Sequence, residues 1–546
     1  MFSPRLILAG LLLASSVHSI AQSKSDKKTI QQLKKDIEYL ASDELEGRRT
    51  ATEGERKALE FIEARYKKEK IGHYRGQYNH PFQFVYGKEI TPATQIRIGN
   101  DVMNIPEDIF PMPFSANTTR KLYGEVLPDV YEQGNIWMIS LYADEDEAKD
   151  AHFDYEKLIY DRAKEAHKQG AEALIFYDAY QSKYPPRFNG RSDFEPLDIP
   201  VAFLSYRAFE RSIKNRQDGV PVEMNISIKK GEYTGHNVAA FIDNKAAYTV
   251  VIGAHYDHLG YGHDGNSLYA SKDKQIHNGA DDNASGTAGL LELASRINKN
   301  KLKHYNYLFV HFSGEELGLL GSKAFVKDMQ IDSSQIAYMI NMDMIGRLND
   351  STHALTVGGV GTSPVWGQFI SRTNKDFKIT IDSSGVGPSD HTSFYHAGIP
   401  VLFLFTGLHT DYHKPSDDAD KINYQGEAKV LQYAYNIVSA MDKQPKPTFT
   451  PTKQKAVGGV RFKVTLGIMP DYSYQEDNGV KVDGVTDDRP AAKAGIKAGD
   501  IITQLGEYKI QGMQSYMEAL SKFKFGDSVT VTVLRDGNLI SMPLTF

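Results

Sequence analysis

Residues 250–258 read V-V-I-G-A-H-Y-D-H, and residues 277–294 read H-N-G-A-D-D-N-A-S-G-T-A-G-L-L-E-L-A. The first stretch predicts a buried strand that ends in His255 and Asp257. The second predicts a tight acidic turn at Asp281-Asp282-Asn283 that opens a helix near Ser285. A hydrophobic strand delivering His-x-Asp, followed by a carboxylate turn, suits a metal site at the C-terminal edge of a parallel sheet.

Later stretches repeat the pattern. N-Y-L-F-V-H-F-S-G (306–314) ends in Glu315-Glu316, A-Y-M-I-N-M-D-M-I-G (337–346) carries Asp343, and V-L-F-L-F-T-G (401–407) precedes H-T-D-Y-H (409–413). Strands alternate with helices, and each polar cluster falls just past a strand, which predicts an α/β sheet with a ligand site along one edge. His255, Asp282, Glu315, Glu316, Asp343 and His413 all close strands or open turns. Two histidines and three carboxylates suffice for two metals, with Asp282 the candidate bridge. The Glu315-Glu316 pair divides naturally into one ligand and one general base. Asp257, two residues beyond His255, suits a role orienting an imidazole. Taken singly, a histidine is more often a core or surface residue than a ligand. His258, His263, His277, His304, His311 and His396 are read that way.

The 546 residues predict about three domains. A hydrophobic content of 41% with 22 prolines fits globular domains. A net charge of −6 gives no case for nucleic acid. The absence of cysteine excludes disulfides, thiolate zinc sites and a cysteine nucleophile. Arg5, the apolar run from Leu6 to about Val17, and Ser19 and Ala21 at the −3 and −1 positions predict a secretory signal peptide over 1–21. The run is too short for a membrane span. The expected location is therefore periplasmic or extracellular.

Lys27 to Leu40 predicts an amphipathic helix with Ile30, Leu33, Ile37 and Leu40 on one face. S-D-E-L-E-G-R-R-T-A-T-E-G-E (42–55) then reads as a connector into a second helix. Residues 116–234 have the texture of a compact α/β insert with no catalytic constellation. K-Q-P-K-P-T-F-T-P-T-K-Q-K-A-V-G-G (443–459) reads as a linker, and residues 461–546 as a small separate module.

The motifs G-A-H-Y-D-H, G-A-D-D-N-A-S-G, F-S-G-E-E-L-G-L-L-G-S, N-M-D-M-I-G, S-D-H-T-S-F and D-Y-H together resemble the M28 family of metallopeptidases, the cocatalytic-zinc aminopeptidases. D-E-L-E-G-R (43–48) resembles that family's N-terminal part. The resemblance implies a three-layer α/β/α zinc-peptidase sheet built from residues 22–115 and 235–442. It implies two zinc ions per chain, one held by His255 and Asp343, the other by Glu316 and His413. Asp282, rather than Asp281, would bridge them and be followed by a cis peptide. Glu315 would be the base, Asp257 the orienter of His255, and Tyr412 a donor to the oxyanion. The insert at 116–234 resembles a protease-associated (PA) domain, expected over the active-site mouth. The module at 461–546, with the linker ending at 460, resembles a PDZ domain. Its T-L-G-I (465–468) fits a loop that takes a peptide carboxylate.

The expected activity is exported, zinc-dependent removal of N-terminal residues from peptides with a free N-terminus. The alternatives are a carboxypeptidase or dipeptidase, for which Arg347 is the candidate cation, a glutaminyl cyclase with one zinc, or a non-catalytic binding protein that uses its PDZ module.

Overall fold

The computed structural model describes residues 27–546 apart from 151–152, 193, 217, 265, 270–273, 453–463, 471–477, 486–488 and 498. The expected signal peptide and the second half of the expected linker lie outside the described residues.

The chain divides into two compact units, one ending at Phe82 and resuming at Thr234, the other Gln83–Tyr233. In the first unit, helix α1 covers 27–40 and buries Leu33, Ile37 and Leu40 completely, as the periodicity predicts. A 3₁₀ turn at Asp43–Arg48 leads into helix α2 (Glu53–Lys68). The main sheet comprises β1 (Gly72–His73), β2 (Asn79–Ile90), β3 (Ile228–Ile242), β4 (Thr249–His255), β5 (Asn306–Phe312), β6 (Ile336–Met342), β7 (Ala354–Gly358), β8 (Lys378–Ile381) and β9 (Val401–Phe405). Its order is β1-β3-β5-β4-β6-β9-β7-β8, with β2 also paired to β3.

The four central strands β5, β4, β6 and β9 are mutually parallel. All are buried along almost their whole length and mostly apolar, because both faces are covered. On one face Val250, Ile252 and Ala254 pack with helices α3 (Gly286–Asn300) and α6 (Tyr424–Met441). On the other, Val251, Leu308 and Val310 pack with Phe325 of helix α4 (Leu320–Asp328) and Phe394 of helix α5 (His391–His396). The period-2 alternation along β4 thus divides between two cores, which makes the three layers.

Register positions the site. His255 stands opposite Phe312, so Ser313–Glu316 emerge beside it. Gly253 stands opposite Asn341, so Asp343 follows on the other side. Met342 pairs with Leu404, which aims the loop after β9 at the same edge.

The second unit holds a sheet of Ile109–Pro111, Val201–Leu204, Ala173–Tyr177 and Ile136–Ser140 in that order. Helix Tyr155–Lys168 packs on it. Gln95–Ile98 pairs with Val220–Asn225 in a second sheet, which ties residues 95–98 into this unit. The boundary expected at 115/116 therefore falls inside it, and the division lies at Phe82/Gln83.

The C-terminal module has its own core around Leu466, Val482, Ile502 and Val533. Its sheet starts at the edge with β10 (Ile468–Pro470), followed by Val480–Val485 and Ile501–Leu505. Arg535 clamps Asp500 through Nε at 2.6 Å and a second guanidinium nitrogen at 2.7 Å. The segment before the module is not a free spacer as far as it is described. Pro447 is buried, Thr450 N donates to Thr362 O at 2.8 Å, and Thr452 N donates to the Tyr395 hydroxyl at 3.0 Å.

Candidate active site

Two groups of possible metal ligands meet at the C-terminal ends of the parallel strands. His255, last in β4, places Nε2 3.2 Å from Asp343 Oδ1 and 3.4 Å from Asp282 Oδ1. His413 places Nε2 3.2 Å from Asp282 Oδ2 and 3.3 Å from Glu316 Oε2. Asp282 thus offers one oxygen to each histidine. Its Oδ2 is buried and has no hydrogen-bond partner among the described residues. An ionised carboxylate oxygen is not left so without cost, and a cation between it and the imidazole would satisfy it. The donor set, imidazole and carboxylate in two groups sharing one acid, fits two divalent ions.

The turn that carries Asp282 is braced from several directions. Asp417 Oδ2 accepts from the backbone N–H groups of Asp281 at 2.9 Å and Asp282 at 3.1 Å. The Asp282–Asn283 peptide is cis. Asn283 Oδ1 accepts from Gly286 N at 2.8 Å and Met344 N at 3.1 Å, while its Nδ2 donates to Met342 O at 3.1 Å. A Cβ on Gly286 would lie 2.3 Å from that Asn283 oxygen and 2.5 Å from Met342 O, so the close approach needs glycine. Asp281 points away from the site. Its Oδ1 accepts from Gly346 N at 2.7 Å, and its Oδ2 lies 3.2 Å from His409 Nε2.

Asp257 faces the opposite nitrogen of His255, with its backbone oxygen 3.2 Å and its Oδ1 3.6 Å from Nδ1. It is fixed by Thr50, whose hydroxyl donates to Asp257 Oδ2 at 2.9 Å, and by Glu315 N, which donates to Oδ1 at 3.2 Å. Glu315 lines the same cavity as the candidate ligands. Burial, reinforced by the Glu316 and Asp343 charges against the pull of His255, holds its carboxyl well above the ordinary 4.5. Tyr412 lines the cavity too and stacks on His413 with ring centres 3.9 Å apart.

Four residues that the sequence did not single out complete the site. His258, read as an ordinary histidine, is fully buried and places Nδ1 2.8 Å from Glu316 Oε1 and 3.8 Å from Asp282 Oδ2. Thr50 and Arg48 come from the segment read as a connector. Arg48 is wholly buried and donates to the carbonyls of Leu40, Tyr256 (2.8 Å), Asn278 (2.7 Å) and Gly279 (2.9 Å). It ties the strand end after His255 to the loop before Asp281. Burial lowers its pKa to about 10, which still leaves it charged at neutral pH, and its carbonyl partners offset a desolvation cost of several kcal/mol. Asp417 is the fourth.

The cluster carries more negative than positive charge. Burial alone would depress the two histidines, but Asp343 and Glu315 hold His255 well above the ordinary 6.5, and Glu316 and Asp282 do the same for His413. A group raised in the folded state stabilises it below the unfolded pKa, and that contribution is lost as pH rises through the folded pKa. The metal-free protein is therefore expected to lose thermal stability as pH rises above about 6.5, with the metal-loaded protein nearly flat over the same range. Melting curves of chelated and reloaded protein across pH check this, and parallel curves would defeat it.

Residues 237–438 match the model of Peptidase family M28, and residues 459–545 match that of the PDZ domain. The chain carries an M28 peptidase domain. All six strand-end residues and the turn lie inside that domain. Aminopeptidase YwaD of Bacillus subtilis (strain 168) is 28% identical over 324 residues, 54% of this chain and 63% of that protein. A probable leucine aminopeptidase of Arthroderma otae is 29% identical over 211 residues, 37% of this chain and 56% of that protein. The chain thus spans less than two thirds of the length of these curated relatives. A solved aminopeptidase from Aneurinibacillus sp. strain AM-1 is 21% identical, with a TM-score of 0.42, over 78% of this chain and 96% of that one. Among the described residues no helix is long and apolar enough to cross a membrane.

Proposed function

We propose that the chain is an exported two-zinc aminopeptidase that removes N-terminal residues from peptides. The observation that carries the reading is Asp282, set between His255 and His413 with one oxygen toward each. His255 and Asp343 would hold one ion, His413 and Glu316 the other, with Asp282 shared. Zinc suits imidazole and carboxylate donors where thiolate is absent. When bound, the two ions supply Lewis-acid polarisation of the scissile carbonyl and a lowered pKa for water.

The remaining work falls to side chains of this chain. Glu315 takes the proton of the attacking water and passes it to the leaving amine, a task suited to a carboxyl whose burial raises its basicity. Asp257 fixes the tautomer and plane of His255, and His258 holds Glu316 in place. Burial keeps the Tyr412 phenol protonated well above its ordinary 10, so its O–H can donate to the developing oxyanion.

The described residues lining the cavity include the carboxylates of Glu315, Glu316, Asp343 and Asp382 and neither lysine nor arginine. With Glu316 and Asp343 committed to the ions and Glu315 to the proton, Asp382 is the lining carboxylate left over, and no lysine or arginine among the described lining residues is there to pair a substrate's carboxylate end. Arg347, the cation a carboxypeptidase or dipeptidase would need, is engaged with Asp411 at 3.1 Å and Asp417 at 3.9 Å. Two possible ligand groups that share Asp282, one with His255 and Asp343 and one with His258 and Glu316, also speak against the one-zinc cyclase reading. Export rests on the Arg5–Ala21 pattern, and a PA-like role for the 83–233 unit on its strand-helix-strand text.

The test is hydrolysis of aminoacyl-anilides beside their N-acetyl copies and a C-terminal dipeptide, before and after chelation. Cleavage of free-amine substrates alone, lost on chelation and restored by zinc, is the expected result. Turnover of blocked peptides would overturn it.

A further inference from the structure

A cavity of about 540 Å³ contains every candidate metal ligand assigned above. Its walls are mostly apolar, including Leu268, Val386 and Phe403 from the M28 domain. Two further wall residues, Ile468 and Pro470, come from β10 of the PDZ domain. The pairing of β10 shifts register between Met469 and Pro470, so strand alternation alone does not set their facing; the cavity that both residues line does.

Resting on the aminopeptidase reading, we propose that the PDZ domain forms part of the substrate cavity. The face of β10 that carries Ile468 and Pro470 receives apolar side chains of the peptide being cleaved. The ligand class is a peptide with bulky apolar residues next to its free amine.

Two independent observations support this use of the domain. The first is how the chain reaches it. The segment ahead of the domain is pinned to the cavity wall itself, because Gly385 N donates to Thr452 Oγ1 at 3.1 Å and Ser384, Val386 and Gly387 line the cavity. The chain thus leaves the M28 domain at the cavity rim. The second concerns the carboxylate loop. Gly467, with φ at +71°, donates its N–H to Thr465 Oγ1 at 3.1 Å, so that donor is already engaged. Pro470 has no N–H to offer an added strand. Both features weaken capture of a peptide C-terminus at β10 and leave its apolar face as the working surface.

The experiment uses the full zinc-loaded chain and compares tri-leucine with tri-leucine amide. Pro470→Asp and Ile468→Asp are each expected to raise KM for both peptides by roughly tenfold, with kcat and metal content kept. Ile468→Val should rescue. Because Ile468 also packs against the module's core, Pro470→Asp is the variant that separates loss of wall from loss of fold. Leu539→Ala, at an exposed position of the same domain, should leave KM unchanged. Unchanged KM in the Pro470 variant of an active enzyme overturns the proposal. A loss confined to the free acid also overturns it, in favour of carboxylate capture. An inactive wild type would sink the aminopeptidase reading first, and this inference with it.

Discussion

Glu315→Gln is expected to reduce kcat by about 10²–10⁴ while leaving both metal ions bound. The substitution keeps size and shape and removes only basicity. The backbone of Glu315 is fixed independently of its carboxyl, through its N–H to Asp257 Oδ1 at 3.2 Å. Neither ligand group contains the residue. Glu316→Gln should behave differently, since its two oxygens meet His258 at 2.8 Å and His413 at 3.3 Å. There the loss should appear first in metal content. The measurement is kcat together with metal per chain for both variants. A Glu315→Gln enzyme with wild-type kcat, or one that has lost metal, would reject the base assignment.

Much of this candidate site is legible in the sequence. An apolar run that stops at a polar residue marks a strand end, and in a parallel sheet such ends converge. That logic singles out His255, Glu315, Glu316, Asp343 and His413 as candidates from local text alone, and the register among β4, β5, β6 and β9 brings their loops together. What local text cannot express is support across sequence distance. Thr50 and Asp257 are 207 positions apart, and Arg48 and Asn278 are 230 apart. Nothing in the composition of D-E-L-E-G-R-R-T says that its arginine is buried. His258 was hidden for another reason. It follows the strand end, where the period-2 pattern no longer sorts inside from outside. The proline-rich stretch after 442 misled by composition, although Phe449, an aromatic among prolines, threonines and lysines, was a readable sign of docking. The boundary expected at 115/116 falls inside the second unit because strand 95–98 finds its partner 124–130 residues later, at 222–225.

Asp282→Ala is expected to lower metal content below two ions per chain and to reduce activity by at least about 10²-fold, with the fold retained. Among the described residues the carboxylate alone faces both histidines, at 3.4 Å and 3.2 Å, so none of them can replace it as the shared ligand. Its removal should spare the turn. The backbone there is held by Asp417 and by the Asn283 side chain, neither of which needs the Asp282 carboxyl. Removing a buried anion from a surplus of negative charge also relieves repulsion, so the metal-free variant should melt no lower than the metal-free parent. Asp281→Ala makes the contrast. That acid accepts from Gly346 N at 2.7 Å and Ser285 Oγ at 3.0 Å, so its loss strands buried donors and should cost stability, on the order of 1–3 kcal/mol, before it costs metal. Adjacent aspartates would then fail in opposite ways, one in metal content and one in melting temperature. Metal counts and melting curves for the two variants, each with and without zinc, measure both. If Asp282→Ala keeps two ions and full activity, the two groups are not joined through this residue and the two-ion reading falls.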